Sequence, residues 1–178
     1  MDQVFAPWRI EWVEREDRPA DTDECVFCAL PESDPREARI VARNDGAYVL
    51  LNNYPYNPGH VMVVPTTHGG DYAALSERDL LAHARLKQRT LSALRTAFDP
   101  DGFNAGLNLG GGPSGGSVTD HVHTHVVPRW TGDTNFMPVI ADTKVIVQAL
   151  ADTYADLHDA FLEFEDADTG PDGAVTLP

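Results

Sequence analysis

The sequence predicts an α+β fold, an antiparallel sheet with helices packed on one face. Three observations point to it. Short apolar, β-branched runs at 47–53 and 60–65 flank the proline-bearing turn YPYNPG, apolar residues recur at helical spacing from 76 to 98, and strand character returns at 103–109 and 120–128. Strands and helices therefore intermix, with hairpin-like connections early in the chain, which favours α+β over a doubly wound parallel sheet.

The 178 residues are enough for one domain with a real core. No run approaches the roughly 18 apolar residues of a membrane helix, and MDQVFAPWRIEW lacks a basic region followed by an apolar one. The expectation is a cytoplasmic protein with no membrane partner. The net charge of −15, from 28 acidic and 13 basic residues, repels polyanions and argues against a nucleic acid polymer as partner. Such an Asp-rich coat also fits a high-salt cytoplasm, where screening weakens self-repulsion.

Taken in order, residues 1–24 read as an N-terminal arm. Its Trp8 and Trp12 are costly to leave in water and should dock on the domain or on a second subunit. The domain is expected over 25–164. It opens on CVFC, whose Cys25 and Cys28 suggest metal or redox chemistry in a cytosolic chain. Two strands follow, then a helix capped by Ser76, with Leu80, Ala84, Leu91, Leu94 and Phe98 on its apolar stripe and DPDG as its stop. FNAGLNL is a strand, GGGPSGGS a glycine-rich loop, and the next strand ends near Pro128. A last helix runs through Ile146, Leu150, Leu157, Phe161 and Phe164 with Thr143 as its cap. The acidic, Gly/Pro-bearing residues 165–178 are expected to be a disordered tail.

The segment DHVHTHVVPRW carries the chemistry. A strand sends alternate side chains to one face, so His121, His123 and His125 project together, with Val122, Thr124 and Val126 opposite. Packing does not explain three such imidazoles, because neutral rings need hydrogen-bond partners and charged ones repel. Two chemical readings stay open. One is a catalytic zinc hydrolase using all three histidines, although the common pattern has Asp where Thr124 stands. The other is nucleophilic attack by an imidazole nitrogen on phosphorus. Upstream, successive amide groups of GGGPSGGS can form an anion-binding nest, which favours phosphate chemistry.

APWRIEWV, CVFC, LNNYPYNPGHVMVVPTTH, GFNAGLNLG, GGSVTDHVHTHVVPRW and GDTNF, in this order, resemble the diadenosine tetraphosphate phosphorylase-like branch of the histidine-triad superfamily. The resemblance covers about residues 4–150. It implies a histidine-triad fold in a two-subunit assembly, a homodimer, and nucleotidyl hydrolase or transferase activity on a nucleotide substrate. By resemblance, His123 would attack phosphorus to give a covalent nucleotidyl-histidine, and His125 would donate to a phosphate oxygen. Ser117 would face the leaving group, where many relatives carry Gln.

The resemblance places Asn52 against the ribose, and Asn108, Gly115 and Gly116 near the phosphates. His60 would lie beside the site, and Trp130 would form a wall for the base or a subunit contact. Cys25, Cys28, His68 and His121 would hold a structural Zn²⁺, whose closed Cys₂His₂ set leaves no open position. A nucleotide-binding dimer without turnover is the non-enzymatic alternative.

Overall fold

The computed structural model describes residues 25–109, 120–133, 148–170 and 172–178. The arm 1–24, with Trp8 and Trp12, lies outside the described residues, as do Gly115, Gly116, Ser117, Thr143 and Ile146. Strands β1 (Ile40–Arg43), β2 (Ala47–Leu51), β3 (Val61–Pro65), β4 (Gly102–Asn108), β5 (His123–Arg129), β6 (Asp168–Thr169) and β7 (Val175–Thr176) form one sheet. Its order is β4-β5-β3-β2-β1-β7-β6. Neighbours are antiparallel except β1 and β7, which run parallel. The sheet is therefore mixed at this one pairing, because the chain crosses over through a helix before returning to the edge of β1.

Two long helices, α3 (Glu77–Phe98) and α4 (Leu150–Leu162), cover one face. Ser76 caps α3 as the sequence predicts, its Oγ accepting the Asp79 N–H at 3.1 Å. Arg95 sits in the last turn, and Asp99 ends the helix in the left-handed region at φ 45°. The buried stripe of α3 is His83, Leu86, Thr90, Ala93 and Leu94. It is centred about one position away from the expected one, and Leu80 is 36% exposed. Helix α4 starts at Leu150, after an extended Ala149 (φ −66°, ψ 146°), so a helix capped at Thr143 does not run unbroken into it.

The main core lies between these helices and the sheet, where Val49, Leu51, Val61, Val63 and Val126 meet Leu86, Leu94, Leu157 and Phe161. Alternate residues of the same strands, Tyr48, Leu50 and Val64, face the other way into a smaller cluster with Phe27, Ile40 and Ala174. Two short helices, α1 (Val26–Ala29) and α2 (Pro35–Ala38), belong to this second face. β2 is consequently buried on both sides and reads as the continuous apolar run AYVLL. The Tyr48 hydroxyl donates to the Phe27 carbonyl at 2.7 Å, tying α1 to the sheet.

The tail at 165–178 is not the disordered segment expected from its composition. Ala174 and Val175 are fully buried, Leu177 is nearly so, and β7 pairs with β1 through Ala42↔Val175 and Arg43↔Thr176. Arg43 also pairs with Asp172. The acidic letters lie at the turn, while the short apolar run AVTL supplies the contact, too short to register as a strand by periodicity. Deleting residues 168–178 is expected to lower unfolding stability by about 3 kcal/mol or more, from lost burial of one Val and one Leu side chain. Denaturant titration checks this, and an unchanged midpoint would show the tail to be dispensable.

Behind β5, His83 of α3 is fully buried, with Nε2 3.0 Å from Thr124 Oγ1. Burial is the main cause that holds its pKa at about 4, below the ordinary 6.5, with nearby Lys87 adding in the same direction. Its neutral form is native, so this contribution is complete above about pH 6.5 and is lost as pH falls through 4. The displacement is worth up to about 3 kcal/mol. The stability of wild type relative to His83→Leu should therefore fall as pH drops from 6.5 to 4. Parallel curves would show that His83 does not titrate in this range.

Candidate active site and metal centre

β5 carries two of the three triad histidines on the sheet face away from α3. Pairing of Met62 with His125 and of Val63 with Thr124 sets that orientation, because Met62 belongs to the second-face cluster and Val63 to the main core. His121 stands just before the strand, fixed by the Val122 N–H donating to the Gly69 carbonyl at 2.8 Å. The three rings do not converge on one point. Each has its own Nδ1 partner, and those partners separate their chemistry.

His121 Nε2–H donates to the Pro65 carbonyl at 2.8 Å, since a carbonyl can only accept. Its Nδ1 lone pair therefore faces Cys25 Sγ at 3.3 Å and Cys28 Sγ at 3.7 Å. His68 Nδ1 lies 3.4 Å from Cys28 Sγ. All four donor atoms fall within 4.8 Å of one another. A tetrahedral zinc, with Zn–S near 2.3 Å and Zn–N near 2.0–2.1 Å, would separate S from N by about 3.5 Å. The donor set and its spacing fit that ion, and the Pro65 carbonyl is the kind of outer hydrogen bond that fixes a ligating imidazole. Among the described residues, this is where three or more metal-binding side chains gather. α1 supplies both thiols because the Cys28 N–H donates to the Cys25 carbonyl at 3.0 Å, closing one turn.

His123 Nδ1–H donates to the backbone carbonyl of His121 at 2.9 Å, which leaves the lone pair on Nε2. The ring is 3% exposed, and burial lowers its pKa below the ordinary imidazole value. A neutral imidazole with a fixed tautomer is a competent nucleophile. Phe27, between the two cysteines, packs its ring edge-on against both His121 and His123 at centroid distances of 5.6 and 5.0 Å. Sequence reading missed this contact. The signal was an aromatic residue inside CVFC, but nothing local shows which way it turns.

His125 is set by a relay. The Tyr56 N–H donates to His60 Nδ1 at 3.1 Å, so the His60 proton lies on Nε2, which donates to His125 Nδ1 at 2.9 Å. The remaining proton of neutral His125 is on Nε2, a donor suited to an oxyanion. His60 is thus brought into the site and orients its neighbour. Its loop is held by Asn57, whose Nδ2 donates to the Pro128 carbonyl and to Asp133, and by Gly59 at φ +73°, where a Cβ would come within 2.9 Å of Phe98. The Tyr56 ring stacks on His60 at 5.0 Å.

The other expected residues divide. Asn52 is buried beside His60, its backbone N–H donating to the His60 carbonyl at 3.0 Å. Its Oδ1 accepts the Tyr54 N–H at 2.8 Å, and its Nδ2 faces Met62 Sδ at 3.7 Å. The carbonyl end therefore shapes a turn, and the amide end packs toward Met62. Asn108 pairs directly with His123 across β4 and β5. Trp130 lines a groove of about 480 Å³ with Asn57, Pro58, Phe98, Asp133 and Gln148, a wall that includes none of the triad histidines.

Comparison with known proteins places this geometry among relatives. A family model described as HIT domain matches residues 34–132. An "AP-4-A phosphorylase" of Mycobacterium tuberculosis is 37% identical over 158 residues, 86% of this chain and 80% of the relative. A Zn-bound histidine triad family protein of Mycobacterium smegmatis superposes with a TM-score of 0.61 at 25% identity, covering 79% of this chain and 94% of that one. A hypothetical histidine triad nucleotide-binding protein of Sulfolobus tokodaii gives the same TM-score at 23% identity, covering 80% of this chain and 95% of that one.

Proposed function

The chain belongs to the HIT domain family, and from that premise we propose that it is a nucleotidyl hydrolase or transferase that works through a covalent nucleotidyl-histidine on His123. Its substrates are dinucleoside polyphosphates or related nucleotide phosphoesters and phosphoramidates. The observation that carries the reading is the hydrogen bond from His123 Nδ1–H to the His121 carbonyl, which leaves an unprotonated Nε2 on the sheet face away from α3.

His123 Nε2 attacks the α-phosphorus, the N–P bond forms as the bond to the polyphosphate leaving oxygen breaks, and the leaving group departs with its electron pair. Water or phosphate then attacks the same phosphorus, the N–P bond breaks with its electron pair returning to Nε2, and the acceptor's proton leaves to solvent. His125 Nε2–H donates to a non-bridging phosphate oxygen, held for that task by His60. By resemblance Gly115 and Gly116 would serve the phosphates and Ser117 the leaving group, all three lying outside the described residues. Asn108 adds a polar contact near the reacting phosphorus, Asn52 meets the ribose, and Trp130 walls the base or meets the second subunit.

Cys25, Cys28, His68 and His121 would hold Zn²⁺, which would cross-link the start of the domain to the histidine segment. The 37% identical relative, an "AP-4-A phosphorylase", supports the nucleotide reading, and the zinc-bound structural neighbour supports the metal. The working unit is a homodimer, a reading supported by β4 ending the sheet with Leu107 and Leu109 exposed.

Incubation with diadenosine tetraphosphate, with and without phosphate, identifies the acceptor. ADP plus ATP means phosphorolysis, whereas AMP plus ATP means water. His123→Ala is expected to lower turnover about 10³-fold or more and to abolish an acid-labile nucleotide adduct; full activity in that variant would sink the reading. Metal analysis is expected to give one zinc per chain, lost in Cys25→Ser/Cys28→Ser and kept in His125→Ala. The reverse pattern would point to a three-histidine metal site.

A further inference from the structure

Thr124 is the odd residue of the triad strand. It stands between His123 and His125 but faces the opposite way, into the main core, where Val122 and Val126 on the same face are fully buried and apolar. A hydroxyl there is costly without a partner. Its partner is His83 of α3, fully buried, with Nε2 at 3.0 Å. His83 itself is an unusual residue for this layer, fully buried and facing the Val63 backbone as well as Thr124. Two polar groups have been placed in an apolar layer, and their one shared feature is contact with each other beneath the histidines.

We propose that His83 is a positioning residue for the reaction, acting through Thr124 to set how His123 and His125 are presented on the far face of the sheet. This rests on the reading of His123 as nucleophile. The peptide units on either side of Thr124 carry the two imidazoles, so holding the Thr124 side chain from below limits the roll of β5 where the chemistry occurs. In the plane of the sheet β4 pairs with β5 along its whole length, from Gly102↔Arg129 to Asn108↔His123, so the hold that Thr124 adds is perpendicular to the sheet. The inner neighbour β3 pairs with β5 only from Val61↔Val126 to Val63↔Thr124, so registration stops before His123.

The support beneath is stiff. Asn44 Nδ2 donates to the Ala82 carbonyl at 2.9 Å, the residue before His83. Gly46 lets α3 approach so closely that a Cβ would lie 2.8 Å from Ala82 Cβ. The Tyr72 ring packs edge-on against His83 at 6.0 Å. The helix is thus locked to the β1–β2 turn at the point where it reaches β5, and a single hydrogen bond carries that lock to the catalytic strand. Burial keeps His83 neutral across the physiological range, so the contact does not titrate during turnover.

The test uses full-length wild type, Thr124→Val, Thr124→Ser, His83→Leu and the Thr124→Val/His83→Leu double variant. Kinetics on diadenosine tetraphosphate are read with nitrogen-15 spectra of the imidazoles. Thr124→Val, nearly isosteric and well suited to a strand, is expected to lower kcat about 10- to 100-fold with KM within about twofold, the scale of a small misplacement at a reacting group. Thr124→Ser keeps the hydroxyl and restores most of kcat. The double variant is no slower than the slower single one, because the pair acts as a unit. His123 and His125 ring signals shift in Thr124→Val.

A Thr124→Val enzyme with kcat within twofold of wild type overturns the proposal, as do single losses that multiply in the double variant. If His83→Leu fails to fold, the two Thr124 variants decide alone. If wild type shows no turnover on any nucleotide, the enzyme reading falls, and unchanged His123 and His125 spectra in Thr124→Val would overturn the positioning role separately.

Discussion

The 2.9 Å hydrogen bond from His123 Nδ1–H to the His121 carbonyl is the contact on which the site depends. It joins two jobs in one residue. The side chain of His121 faces the two thiols and His68, while its backbone carbonyl decides which nitrogen of His123 carries a proton. Whatever fixes the position of His121 therefore also fixes the chemistry of its neighbour but one. The Pro65 carbonyl on Nε2, the Gly69 carbonyl on the Val122 amide and the edge of Phe27 all converge on this task.

The three imidazoles show how identical residues on one face acquire different roles. Their Nδ1 atoms meet sulfur, a backbone carbonyl and another imidazole respectively. An acceptor forces a proton onto the nitrogen, and a donor keeps it off. The roles follow from these partners rather than from position in the strand, and a pattern of alternating histidines alone leaves the assignment open.

Much of this was legible in the sequence. The β2–β3 pair, the long helix with Ser76 as its cap and the strand at 120–128 follow from local period and turn chemistry. The cysteine pair and His68 were legible through resemblance, and the fold brings them together with His121. Less visible was anything set by distant contact. The AVTL run became β7 because β1 offers an unpaired edge, not because of its own propensity. Likewise His83 reads as one more residue on a helix, and only the sheet above it shows that it meets Thr124. Asn52 illustrates the mixed case, since its Oδ1 closes a turn, as Asn often does, while its amide end faces the second-face cluster.

The parallel partnership of β1 and β7 also governs the order in which the molecule can be completed. Val175 pairs with Ala42 across about 130 residues of intervening chain. A ribosome makes β1 long before β7, so the edge of β1 and the apolar side of α1, which Ala174 helps to cover, stay open while the histidine strand and α4 emerge. The thiol-bearing turn at 25–28 is therefore anchored early, through Phe27 on Tyr48, and receives its last cover from Ala174 at the far end of the chain.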